Sequence, residues 1–209
     1  MLITQFPQRS LFPGFLVAFA IIAPGCGTTV LPPDDPKNPV TVYLLDHGRT
    51  TSLVLPLEGW EGSARGGGML VRYAYGDWNW YALEKNGLIH GFLALFWPTQ
   101  ATLARRELKG PGPGEIPAAA VRRQVKEIEH VHEIPVERAD LRRLTHRLEL
   151  HYRANLHTAV EGKLSDFTFV HHPRPYCGFG NSNHQVSDWL RDLRCGTRGF
   201  AFFADWRVR

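Results

Sequence analysis

The strands and helices legible along this chain mostly do not alternate as β-α-β, and that points away from a parallel sheet. Residues 40–45 (VTVYLL) and 50–57 are β-branched and apolar runs split by Asp46-His47-Gly48-Arg49. They read as an antiparallel pair, or as one strand bulged at Gly48. After the turn Gly66-Gly67-Gly68, residues 69–75 form a further strand. Asp77 then caps a helix over residues 77–96, stopped by Pro98, with Trp78, Tyr81, Leu88, Phe92 and Leu95 on its apolar face. Residues 125–136 alternate as a strand after an ambiguous start. Leu141, Leu144, Leu148 and Tyr152 mark a helix over residues 137–156, with arginines on its outer face. A short strand at 167–170, ended by Pro173 and Pro175, leads to a helix over 181–193 with Val186, Trp189, Leu190 and Leu193 aligned. Residues 200–208 close the chain as a strand. The expected fold class is α+β, an antiparallel sheet with about three helices.

Composition agrees with that reading. At 209 residues and 44% hydrophobic, the chain can bury the core of one domain or of two very small ones. A net charge of +4 without a polybasic block argues against a nucleic-acid partner.

Residues 1–25 stand apart. Leu11 to Ile22 is uncharged but shorter than the roughly 20 residues a bilayer span needs. Pro13-Gly14 and Pro24-Gly25 would break a buried helix there, and Arg9 supplies a positive flank. This is signal-peptide grammar, ending at Ala23-Pro24-Gly25-Cys26. The ending resembles a bacterial lipobox, in which Cys26 becomes the lipidated first residue; an ordinary secretory signal cleaved near it is the alternative. The expected organisation is a lipoprotein signal peptide at 1–25, a Pro-rich tether at 26–39 and one α+β domain at 40–209. The expected location is the bacterial cell envelope, facing the periplasm, with the membrane engaged through lipid on Cys26. In such an oxidising compartment Cys177 and Cys195 are candidates for a disulfide, with two separate thiols as the alternative.

Several short segments carry a resemblance. They are residues 42–50 (VYLLDHGRT), Tyr75-Gly76-Asp77-Trp78, Leu95-Phe96-Trp97-Pro98-Thr99, Asn181-Ser182-Asn183 and Trp206-Arg207-Val208. In this order they resemble a family of uncharacterised bacterial envelope lipoproteins, over about residues 40–209. More distantly, the layout is similar to permuted papain-like hydrolases of the NlpC type. That similarity implies a papain-like core, with a nucleophile at the start of a late helix and a His on an early strand. The nucleophile position falls on Ser182, where such enzymes place Cys. The His position falls between His47 and Thr51, and relatives carry His where Thr51 stands.

Ser182 suits two roles. At a helix start, free N–H groups can stabilise an oxyanion, so Ser182 with His47 as base and Asp46 or Asp77 orienting it would make an amide or ester hydrolase. His171, His172 and His184 are rival bases. Asn181, Ser182 and Asn183 are equally good helix caps. His130-Val131-His132 and His171-His172 raise a metal reading, but no Cys-x-x-Cys or His-Glu-x-x-His accompanies them, so no metal or cofactor is expected. Residues 77–81 (DWNWY) suit either a core or an aromatic groove. Two functions remain: a lipid-anchored binding module for a cell-envelope peptide or lipid, or a hydrolase of such a ligand.

Overall fold

The computed structural model describes residues 27–57, 68–85, 97–111, 115, 117–163, 165–177, 180–199, 201 and 204–209. Its strands are β1 (Thr28–Leu31), β2 (Pro39–Asp46), β3 (Thr51–Leu57), β4 (Met69–Asp77), β5 (Thr99–Lys109), β6 (His130–Glu137), β7 (Val160–Glu161), β8 (Thr168–Tyr176), β9 (Gly196–Arg198) and β10 (Trp206–Val208). The α-helices are α1 (Pro117–Gln124), α2 (Arg138–Ala154) and α3 (Ser182–Asp192).

β2 to β8 make a seven-stranded antiparallel sheet in the order β6-β2-β3-β4-β5-β8-β7. A three-stranded sheet sets β1 between β10 and β9. The architecture is α+β. α2 presents Leu141, Leu144 and Leu148, and α3 presents Val186, Trp189, Leu190 and Leu193, to one face of the large sheet. There they meet Leu44, Leu53, Leu55, Val71, Tyr73 and Leu103. Glu149 ties α2 to this face, accepting from the Tyr73 hydroxyl and, at 2.7 Å, from Arg105 Nε. The opposite face is covered in two patches. Val121 of α1 and Val125 pack on Tyr43, Leu45, Val54, Leu70 and Leu108, while Phe167 and Phe169 pack on Ala104. β3 is consequently buried on both faces, Thr51 through Leu55 without interruption.

The structure departs from expectation at several places. The stretch 26–39 is not all tether, because Thr28–Leu31 is a strand held by β9 and β10. The Asp77-capped helix is a single π-turn, Trp78–Ala82, among the described residues; Leu88, Phe92 and Leu95 lie outside them. The closing strand contracts to Trp206–Val208. The ambiguous start before β6 follows a short helix, α1, whose Pro117 at the first turn and three following alanines are ordinary helix-start chemistry. The leader and Cys26 lie outside the described residues.

Candidate functional site

Asn181, not Ser182, caps α3. Its Oδ1 accepts from the backbone N–H of Asn183 at 3.0 Å and of His184 at 3.2 Å. Ser182 is the first residue of the helix and is buried. Beside it, Thr51 Oγ1 donates to Asn183 Oδ1 at 2.6 Å, and Trp206 Nε1 donates to Thr51 Oγ1 at 2.7 Å. All three side chains are buried. The early-strand position and the late helix therefore do meet, but through Thr51 and Asn183, with His47 taking no part in the contact.

His47 lies across the sheet from that junction. Successive strand residues face opposite sides, and His47 bonds the next residue of β3, Ser52, instead of Ser182. Its Nε2 is 3.1 Å from Ser52 Oγ and 2.8 Å from Arg72 Nη2. A guanidinium only donates, so Nε2 must be the acceptor and Nδ1 carries the proton, which it donates to the Glu127 carbonyl at 2.9 Å. Burial and the adjacent Arg72 push the His47 imidazole down to about 4, keeping it neutral at pH 7. Asp46 does not orient it: its Oδ1 accepts from Gly48 N–H at 2.7 Å, and burial raises its carboxyl above the ordinary range. Asp77 is a local cap, accepting from Trp80 N–H at 2.7 Å and from the Thr99 hydroxyl. The predicted Ser182–His47–Asp46 constellation is not assembled.

The other candidates also have local roles. His184 Nδ1 is 3.0 Å from Asn181 Oδ1. His172 stacks edge-on to Tyr75 and beside His151, and burial with that neighbour lowers it to about 4. His171 sets its ring against Trp78. The His130 and His132 rings are 6.0 Å apart, and among the described residues no third metal-ligating side chain joins them. Cys177 and Cys195 are free thiols instead of a disulfide; Cys195 is buried, which pushes it up to about 12.

What the structure does assemble is a polar cavity of about 480 Å³ on the far side of the sheet, lined by His47, Ser52, Arg72, Arg106 and Lys126. Trp80, Tyr81, Phe167 and Phe169 add aromatic walls. Gly76 permits this packing, since a Cβ there would lie 2.4 Å from the Tyr81 ring. Arg72 Nε donates to Ser52 Oγ at 2.9 Å, and its guanidinium lies 4.5 Å over Phe167. Ser52 beside a neutral imidazole looks like a nucleophile and base, but Arg72 already donates to both the hydroxyl oxygen and Nε2. Neither Arg72 nor Ser52 stands out in the sequence, although an arginine inside the apolar run 69–75 is a signal that its side chain needs a polar pocket. No family model, curated protein or solved structure matches the chain.

Proposed function

We propose that this is a lipid-anchored binding module of the bacterial cell envelope, built on a papain-like frame that does not catalyse. The observation that carries the reading is the buried bond from Thr51 to Asn183, capped by Trp206, at the junction where a hydrolase of this layout needs an imidazole. A serine hydroxyl without an adjacent base is a weak nucleophile. Support for the frame comes from α3 packing on β3 and β4 with its start beside an early strand.

A fluorophosphonate probe tests the catalytic half of this reading. The purified chain should leave Ser182 unlabelled, and Ser182→Ala should leave any background ester hydrolysis unchanged. Stoichiometric labelling at Ser182 would establish the alternative, a hydrolase.

A further inference from the structure

Arg72 is the most unusual group in the cavity. It projects from the middle of β4, and among the described residues its guanidinium forms no ion pair. Its bonds go to two neutral acceptors, Ser52 Oγ and His47 Nε2. The neighbouring Arg106 is already matched by Asp166 at 3.0 Å. Burying a charge without an ion pair of its own is costly. Here neutral dipoles, the Phe167 face and the more distant Asp166 carboxylate, which Arg106 already engages, only partly offset it. Burial and Arg106 push Arg72 down to about 9, so it still carries its charge at pH 7. Nη1 has no protein acceptor among the described residues, and Arg72 lines the open cavity.

We propose that the cavity binds an organic carboxylate, its oxygens on the Arg72 guanidinium and an adjacent apolar or aromatic group against Phe167, Phe169 and Tyr81. Charge decides between anions. Arg72, Arg106 and Lys126 are balanced in number by Glu84, Glu127 and Asp166 around the same cavity. A monoanion meets Arg72, the more buried of the two cavity cations that form no ion pair among the described residues, Lys126 being exposed to solvent. A phosphate dianion would add charge with nothing to oppose it. The volume lies within the range of small-molecule sites. The proposal gives the binding-module reading its ligand class and rests on that reading for its biological sense.

The test is calorimetry on the full chain in detergent with 3-phenylpropionate, 3-phenylpropionamide and phenyl phosphate. The carboxylate should bind, and the amide should bind about tenfold or more weakly, as the loss of a charge-assisted bond implies. Arg72→Gln should abolish the difference. Arg72→Lys should weaken the carboxylate too, because one ammonium cannot serve Ser52, His47 and a ligand in the guanidinium's plane. If Arg72→Gln does not fold, the wild-type His47 imidazole signals locate the site, since they should shift on adding the carboxylate and not the amide. Equal binding of acid and amide, tighter binding of phenyl phosphate, or no binding with unmoved His47 signals would each overturn the proposal. Labelling of Ser182 together with normal carboxylate binding would overturn the non-catalytic reading alone; an unlabelled Ser182 without carboxylate binding would overturn the cavity alone.

Discussion

Thr51 and Ser52 are neighbours on β3, yet their hydroxyls serve opposite faces of the sheet. Thr51 bonds Asn183 and Trp206 on the helix side, and Ser52 bonds Arg72 and His47 on the cavity side. One strand therefore separates the helix start from the imidazole that would have to activate it. This is why moving a side chain cannot bring His47 to Ser182; a register shift of the whole strand would be needed.

Thr51→Val should be strongly destabilising despite its similar shape. It removes the acceptor for Trp206 and the donor for Asn183, leaving buried polar groups unpaired at about 1–3 kcal/mol each. Thr51→Ser keeps both bonds and should cost much less. Urea denaturation of the two variants measures the difference.

Asn181 and Ser182 should separate in the same assay. Asn181→Ala removes the side chain that caps α3 and should cost about 0.5–2 kcal/mol, with Asn181→Asp restoring most of it. Ser182→Ala makes no such loss, because the N–H groups of Asn183 and His184 donate to Asn181 Oδ1 and not to the Ser182 hydroxyl. A larger effect at Ser182 than at Asn181 would reverse the assignment of the cap.

The fold class was legible because Leu141, Leu144, Leu148 and Val186, Trp189, Leu190 keep helical spacing, while residues 40–57 keep strand composition. The site was much less so. Periodicity tells which residues share an element's face, but pairing His47 with Ser182 required knowing which face of β3 each would reach. That depends on tertiary register, which residues 132 positions apart, as Thr51 and Asn183 are, do not encode locally. The choice between a Cys177–Cys195 bridge and two separate thiols was not legible for a related reason: compartment chemistry permits either, and packing decides, here leaving both thiols free.

Acid should weaken the fold through its buried histidines. His47 and His172 are each lowered to about 4 by burial, His47 also by Arg72 and His172 also by His151. The unfolded chain takes up these protons first, near the ordinary imidazole value of about 6.5. The stability they contribute is therefore complete above about pH 6.5 and is lost as pH falls to about 4, by at most about 3 kcal/mol each. Unfolding midpoints across that window should fall for the wild type, and the slope should be shallower in His47→Gln. An unchanged slope in that variant would show that His47 is not held neutral.

The anchoring expectation carries a geometric consequence. Thr28, two residues after Cys26, is already folded: its N–H donates to the Asp205 carbonyl at 2.7 Å, and β1 pairs with β9 and β10. Gly27 is packed too, since a Cβ on Gly199 would lie 2.4 Å from the Gly27 backbone oxygen. A lipid on Cys26 would then hold the small sheet against the bilayer with almost no slack, because residues 32–38 link β1 to β2 and do not lie between Cys26 and the first strand. Cys26→Ala should move the protein out of the membrane fraction and abolish palmitate labelling. In the lipidated wild type, the edge around Asp205 and Arg207 should be shielded from a bulky water-soluble modifier tested on Arg207→Cys. Inserting a flexible Gly/Ser segment of about ten residues between Cys26 and Gly27 should restore modification while palmitate labelling persists. Equal modification with and without the insert would show that the sheet stands clear of the membrane.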